Sequence, residues 1–194
     1  MPTAEDLSLR EWAVLGLVAE GRTHGFEVSR AFGRGGPMGK IWTIPRPLVY
    51  RAIASLQSAG LVGAIGASPG ERGPERRLVE ATPEGRAALQ GWLVKPVAHV
   101  RNARSELLVK LALHDRAGTD PVELLGAQSA QLDPLLAGLR EKLAEAEGFD
   151  ATLARWRLSS AEVLATFVAG LIADRRRHAG PDIGRDNAPG RGER

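Results

Sequence analysis

The sequence contains no cysteine. This absence excludes a disulfide framework, a thiolate nucleophile and a cysteine metal site, and it fits a reducing compartment. No apolar run approaches the roughly 20 residues that cross a bilayer, and the stretch from Met1 to Arg10 lacks the apolar core of a signal peptide. We therefore expect a cytoplasmic protein of one or two domains, since 194 residues can bury a substantial core.

Phosphate-binding motifs are missing as well. The glycine-rich stretch GRGGPMGK begins at Gly33, but a Walker A loop needs glycine where Arg34 stands and Ser or Thr where Ile41 stands. A dinucleotide-binding loop would need a third glycine at Met38. The stretch therefore predicts a flexible connection between two helices and no nucleotide site.

Patterns typical of catalysis or metal binding do not occur either. The four histidines have no metal-ligand spacing, and no Gly-x-Ser-x-Gly elbow is present. Carboxylates lie beside Arg and Lys, as on a solvated helix face. The sequence predicts no enzyme, no metal site and no cofactor.

Acidic residues are absent from one long segment. Between Val28 and Gly70 there is no Asp or Glu, although the net charge of the whole chain is only +3. The basic residues of this segment are Arg30, Arg34, Lys40, Arg46 and Arg51. A locally basic, acid-free segment is typical of a surface that contacts nucleic-acid phosphates. A chance cluster on a solvated face remains the alternative at this point.

The segment up to residue 60 predicts three helices. Ser8 and Glu11 form a capping box for the first helix. Thr23 is expected to cap the second helix and Thr43 the third, and Pro45 or Pro47 suits the first turn of the third helix.

A β-hairpin and a fourth helix are predicted next. LVGAIGA and RLVEA read as strands on either side of the charged turn SPGERGPER, and Thr82 with Pro83 starts a helix. A basic third helix followed by a hairpin is the order of a winged helix-turn-helix. The fold class is therefore mostly α, with a winged domain over residues 1–94.

The second half of the chain predicts an α-helical dimerisation and effector domain over residues 95–178. Pro134 is expected to kink or split one long helix of this domain. The last helix carries more apolar surface than a small helical hairpin can bury, which favours association with a second copy of the chain. Residues 179–194 are rich in Gly, Pro, Arg and Asp, and we expect them to be a disordered tail.

Taken in order, these segments resemble the PadR family of bacterial transcriptional regulators. The resemblance rests on LREWAVLGLVAEGRTHGFEVSRAF, PRPLVYRAIASLQSAGLV, TPEGRAAL and RSELLVKLAL, and it spans most of the chain. It implies a homodimer that binds double-stranded promoter DNA, usually as a repressor, and is released by a small aromatic or apolar effector. The corresponding operator would be an inverted repeat with one recognition helix in each half-site.

The resemblance also marks candidate DNA-binding residues. It places Tyr50 on the recognition helix between Arg46 and Arg51. The full set of candidates is Lys40, Thr43, Arg46, Tyr50, Arg51, Arg72, Arg76 and Arg77. The wing departs from the family pattern, because Val79 stands where tyrosine is common and Glu75 adds a negative charge.

The roles of these side chains stay open at this level. Arg46 and Arg51 can contact either bases or phosphates, of which phosphate contacts are the more frequent kind. Tyr50 can donate to a phosphate oxygen or pack against Trp42 or Leu48.

Trp156 is the candidate ligand-binding residue, because an aromatic ring on a dimer-forming helix can stack on a planar effector. The alternative role of Trp156 is to fill the core of the dimer. Trp12 and Trp92 are expected to pack in the core of the first domain. An alternative function is a helical adaptor that binds small molecules or proteins without recognising a DNA site. The modest net charge and Glu75 in the wing leave that alternative open.

Overall fold

The fold joins a winged helix-turn-helix to a group of C-terminal helices, so the predicted fold class is confirmed. The computed structural model describes residues 6–70 and 73–178, and within them it does not cover the side chains of residues 67–70, 73–76 and 178. The elements are α1 Leu9–Ala19, β1 Thr23–His24, α2 Gly25–Ala31, α3 Arg46–Ser58, β2 Val62–Gly70, β3 Gly73–Ala81, α4 Pro83–Val94, α5 Val100–Ala103, α6 Glu106–Ala117, α7 Val122–Glu145 and α8 Gly148–His178. The tail predicted at residues 179–194 lies outside the described residues.

Helix α1 is the central element of the winged domain. The Ser8 hydroxyl accepts from the backbone N–H of Glu11 and the Glu11 carboxylate accepts from the backbone N–H of Ser8, which confirms the predicted capping box. Every residue from Trp12 to Val18 is buried. A helix buried on all sides over two turns must be covered by several neighbours, and α3, α4, α6 and β3 all contact α1.

A small antiparallel sheet with strand order β1-β3-β2 closes the winged domain. The prediction that Thr23 caps α2 is wrong, because Thr23 pairs with Val79 of β3 in this sheet. His24 takes the capping position, and its Nδ1 accepts from the backbone N–H of Glu27 at 3.1 Å. β2 and β3 form the hairpin expected of a wing.

Helix α4 is anchored on α1 by two tryptophans. The rings of Trp12 and Trp92 are parallel to within 3° and their centroids lie 5.2 Å apart. Both side chains are buried, as predicted. Thr82 caps α4 by accepting from the Gly85 N–H, and Pro83 occupies its first turn, which also agrees with the prediction.

The glycine-rich stretch between α2 and α3 is a tightly packed turn, which differs from the loose connection expected. Met38 to Lys40 form one turn of 3₁₀ helix, and the Met38 side chain is buried. A Cβ atom on Gly39 would lie 1.8 Å from the carbonyl oxygen of Gly33, so the backbone closes on itself here. A Cβ atom on Gly36 would likewise lie 2.2 Å from the Ala31 carbonyl oxygen, so the close approach of the backbone accounts for Gly36 and Gly39 without any ligand.

Helix α6 connects the winged domain to the helices that follow. Val109 and Leu113 belong to the core of the winged domain, whereas Leu107 belongs to a second core with α5, α7 and α8. Leu113 lies against α1 at Gly16, where a Cβ atom would come within 2.4 Å of the Leu113 Cδ1 atom. The domain boundary near residue 94 therefore stays a prediction, since α6 contributes to both cores.

Helices α7 and α8 pack against each other along their length. Pro134 does not split α7, which is one continuous helix. Pro134 and Ala130, whose carbonyl loses its helical N–H donor, are both exposed, so water can hydrate that carbonyl. Arg140 on α7 forms an ion pair with Glu162 on α8 at 3.1 Å.

Helix α8 is apolar on two faces. One face is buried against α5 and α7, but Phe149, Trp156, Val163 and Phe167 are 78%, 71%, 72% and 42% exposed. By length and composition alone, the span from Gly148 to Arg177 also suffices to cross a membrane, which the search for apolar runs in the sequence did not single out. Such a test is also passed by amphipathic helices of proteins that do not enter a membrane, so it is weak evidence.

Candidate nucleic-acid interface

Helix α3 presents one face to the core and one face to solvent. Val49, Ala52, Ile53 and Leu56 are buried at helical spacing. The opposite face carries exposed residues, namely Arg46, Pro47, Tyr50, Arg51, Ala54, Gln57 and Ser58. No carboxylate lies on this helix. Three of the predicted DNA-binding side chains therefore share one exposed face.

Arg46 is held over two aromatic rings at the start of α3. Its guanidinium carbon lies 5.2 Å from the centroid of the Phe26 ring and 5.5 Å from that of the Tyr50 ring. These distances allow a cation–π attraction of about 0.5–1 kcal/mol per exposed contact. The two rings restrain the orientation of the Arg46 side chain. Because this side chain is exposed, its N–H groups remain accessible. An arginine restrained in this way loses less side-chain entropy when it binds a phosphate or a base edge.

Tyr50 packs against α2 and remains 43% exposed. A Cβ atom on Gly25 would lie 2.8 Å from its Cε1 atom, so the absence of a side chain at Gly25 makes room for the ring. The Arg46 Nη2 donates to the Tyr50 hydroxyl over 3.4 Å, a long hydrogen bond. The ring thus lies against Gly25, and its hydroxyl lies beside the guanidinium.

Lys40 and Thr43 lie in the approach to α3. Both side chains are exposed, Lys40 at the end of the 3₁₀ turn and Thr43 in the extended segment that follows. Thr43 does not cap α3 as expected. The capping position belongs to Pro45, which has no side-chain donor or acceptor, and no carboxylate lies in the first turn.

Of the three wing arginines predicted to bind DNA, the structure describes the side chain of Arg77. Arg77 is exposed on β3, opposite Ala67 of β2. Arg76 pairs with Ser68 through the backbone, but its side chain lies outside the description, and Arg72 lies outside the described residues altogether. The prediction for these two arginines therefore stays a prediction.

The basic side chains of the winged domain differ in whether a carboxylate neutralises them. Glu80 lies 3.8 Å from Arg22 and 3.5 Å from Arg86, so these two arginines share one carboxylate at the sheet. Among the side chains that the structure describes, which do not include Glu75, no carboxylate lies within ion-pair distance of Lys40, Arg46 or Arg51. Positive charge therefore remains uncompensated on α3 and its approach, which is the requirement for binding a polyanion.

An apolar cleft of about 940 Å³ lies between α5, α6, α7 and α8. Trp156 lines this cleft together with Leu108, Leu135 and Phe167, and the Arg101, Arg104 and Arg157 side chains also border it. In the single chain Trp156 therefore faces open space and does not fill a core. Both roles of Trp156 stay predictions, since a ligand and a second chain would each cover its exposed ring.

Sequence reasoning missed the part that Phe26 and Gly25 play. The Phe26 ring is only partly buried and lies beneath the Arg46 guanidinium. The exposed face of α3 is thus supported by the first residues of α2. Only the three-dimensional approach of the two helices brings these residues together, so a linear pattern could not show it.

The fold and this surface define a winged helix-turn-helix whose helix α3 has a basic, exposed face. No family model matches the chain. It is 28% identical over 115 residues to the probable transcriptional regulator Rv1176c of Mycobacterium tuberculosis, an overlap of 59% of this chain and 57% of the relative. The chain thus spans just over half the length of that curated relative.

Two solved structures are also similar to the chain. The first is Bacillus subtilis PadR in complex with operator DNA, at 17% identity and a TM-score of 0.43, covering 84% of this chain and 97% of the other. The second is smu.1604c from Streptococcus mutans, at 14% identity and a TM-score of 0.40, covering 84% and 98%.

Proposed function

We propose that this protein is a sequence-specific DNA-binding transcriptional regulator that represses its target promoter as a homodimer. The observation that carries the proposal is the exposed, acid-free face of α3, on which Arg46 is restrained by two rings beside Tyr50 and Arg51. In this function α3 enters the major groove, and Arg77 of the wing contacts the adjacent backbone. The similarity to a probable transcriptional regulator agrees with the proposal. A cytoplasmic location and the absence of catalysis belong to the same proposal.

The exposed stripe of α8 is the basis for the homodimer. Phe149, Trp156 and Val163 follow one another at intervals of seven residues and Phe167 follows four later, so all lie on one side of the helix. Burial of apolar surface stabilises a protein or a complex by about 25 cal/mol for each Å², so covering this stripe would be favourable. A second copy of α8 can cover the stripe, since symmetric pairing of identical faces is the commonest assembly.

Substitution within the stripe tests the homodimer. A glutamate at Val163 would be buried without a partner, so Val163→Glu is expected to raise the dimer dissociation constant by roughly thirtyfold or more. Ala169→Glu is the matched control, because Ala169 is exposed on α8 outside the stripe. Sedimentation velocity over a concentration series measures both. Equal dimer stability of Val163→Glu and the unsubstituted chain would contradict the assignment of the stripe.

The effector in this proposal is a small apolar or aromatic molecule that occupies the cleft beside Trp156. The volume of about 940 Å³ is that of a small-molecule site, and its lining is mainly apolar. The fluorescent dye 1-anilinonaphthalene-8-sulfonate is a suitable probe because it combines two aromatic groups with one charge. Trp156→Ala should weaken dye binding by at least roughly fivefold if the indole stacks on the ligand. Unchanged dye binding in this variant would remove Trp156 from the site.

Selection of binding duplexes from a random pool tests DNA recognition without knowledge of the operator. Recovery of an inverted repeat, with half-sites about one helical turn or a multiple apart, is the expected result. Recovery of no consensus would favour the alternative of a helical adaptor without a specific DNA site. Recovery of a single, unrepeated site would contradict the dimeric mode of binding and leave recognition by α3 standing.

A further inference from the structure

The linker between α4 and α5 is held by buried polar side chains. Lys95, Pro96, Val97, Ala98 and His99 form this linker, and its backbone is irregular. Short irregular segments between domains usually act as hinges, because few contacts restrain them. In this protein, by contrast, side chains of α6 and α7 form hydrogen bonds with the backbone of the linker.

Gln128 binds both polar groups of one linker residue. Its Oε1 accepts from the Val97 N–H at 2.7 Å, and its Nε2 donates to the Val97 carbonyl oxygen over 3.4 Å. Gln128 is 1% exposed, and the Val97 side chain is 2% exposed in the core of the helical domain. A buried amide with both ends engaged is satisfied in one orientation only, so it specifies the position of the linker.

A second glutamine of α7 extends the contact by one residue. The Gln131 Nε2 lies 3.1 Å from the Val97 carbonyl oxygen and 3.2 Å from that of Ala98, and it donates to both. Ala98 in turn lines the apolar cleft. The end of the linker is thus attached to α7 and borders the cleft.

The beginning of the linker is attached to α6. Lys110 is fully buried, and its Nζ donates to the Lys95 carbonyl oxygen at 2.6 Å. Its charge is compensated by Glu106 at 3.4 Å and by the Trp92 ring, whose centroid is 4.5 Å away. Trp92 stacks on Trp12 of α1, so this end of the linker belongs to the winged domain.

We propose that Gln128 and Gln131 are positioning residues that lock the linker to α7 and thereby hold the winged domain at one orientation to the long C-terminal helices. The proposal rests on the proposed function for its consequence: in a homodimer built on α8, this orientation determines the distance between the two recognition helices. Loss of the lock leaves α3 intact but lets the two winged domains move relative to each other.

The absence of cysteine permits a direct measurement of that orientation. Spin labels at Gln57→Cys on α3 and Glu141→Cys on α7, both exposed positions, report the distance between the winged domain and α7. Labelled chains diluted with an excess of unlabelled chains confine the measurement to one protomer. We expect one narrow distance distribution in the otherwise unsubstituted protein, and a broadened or doubled distribution after Gln128→Met.

A matched control separates positioning from simple loss of stability. Leu132 is 2% exposed in the same helical core and has no polar side-chain group, so Leu132→Ala removes packing from α7 but none of the hydrogen bonds that form the lock. Leu132→Ala should keep the narrow distribution. Broadening in Leu132→Ala equal to that in Gln128→Met, or a narrow distribution in both, would overturn the proposal. If Gln128→Met does not fold, Gln131→Leu at a half-buried position replaces it under the same criteria.

DNA binding supplies a readout that a purely structural role would not change. Duplexes that carry the selected half-sites with two extra base pairs between them should bind the unsubstituted protein much more weakly than the selected duplex. In Gln128→Met this preference should shrink by roughly fivefold or more, within the range of coupling between distant sites. An undiminished preference would refute the consequence for DNA. If the unsubstituted protein recognises no duplex, the proposed function fails, while the distance measurement still decides whether the lock exists.

Discussion

Replacement of Arg46 perturbs the predicted interface at its best-defined point. In the proposed homodimer each protomer supplies one Arg46, whose guanidinium lies over Phe26 and Tyr50 with no carboxylate nearby among the described side chains. Loss of one charge-assisted contact weakens binding by about 1 kcal/mol or more, so Arg46→Ala in both protomers should weaken binding by about 2 kcal/mol, or roughly thirtyfold in Kd.

The salt dependence of binding distinguishes a phosphate contact from a base contact. The slope of log K against log salt changes by about 0.9 for each phosphate contact, so removal of two such contacts lowers its magnitude by about 2. Arg46→Lys keeps the charge but loses the planar group that stacks on the rings. We therefore expect Arg46→Lys to retain the slope and to bind with an affinity between those of Arg46→Ala and the unsubstituted protein.

Fluorescence polarisation with the selected duplex at several salt concentrations measures both quantities. Arg140→Ala is the control, because Arg140 pairs with Glu162 on the C-terminal helices and carries the same charge. Arg46→Ala with the Kd and slope of the unsubstituted protein would refute the assignment of Arg46 to the interface. A lowered affinity with an unchanged slope would instead assign Arg46 to a base edge.

Two further predictions concern stability. Gly39→Ala should lower the free energy of unfolding, measured in urea, by about 1–3 kcal/mol, because its Cβ would meet the Gly33 carbonyl oxygen. Gly35→Ala is the control and should change this free energy little, because the space around Gly35 is open. Equal losses of stability in the two variants would contradict the packed turn. Burial lowers the pKa of His114 below its ordinary value of 6.5. The unfolded chain then binds a proton more readily than the folded one, so stability should be highest above pH 6.5 and fall on acidification below it. This loss should diminish in His114→Gln, and an identical pH profile would exclude His114 as its source.

Local signals in the sequence were sufficient to predict where several helices of the winged domain begin. The capping box of Ser8 and Glu11 and the cap at Thr82 with Pro83 each depend on residues within one helical turn. Elements defined by neighbouring residues were therefore predictable from the chain.

Other features depend on residues far apart in the chain. Thr23 would be a good cap in isolation, but pairing with Val79 recruits it to the sheet and passes the cap to His24. The support of Arg46 by Phe26, and the attachment of the linker by Gln128, likewise require tertiary contacts. No local pattern encodes such contacts, and propensity yields to them where they are formed.

The central claim is recognition of a specific DNA sequence through α3. Its most direct test is fluorescence polarisation of the purified protein with DNA from upstream of its own gene and with a scrambled duplex of equal length, at two salt concentrations. A preference of roughly a thousandfold or more for the upstream duplex, as in specific regulators, is the expected result. Equal, salt-sensitive binding to both duplexes, or binding to neither, would contradict specific recognition of that DNA.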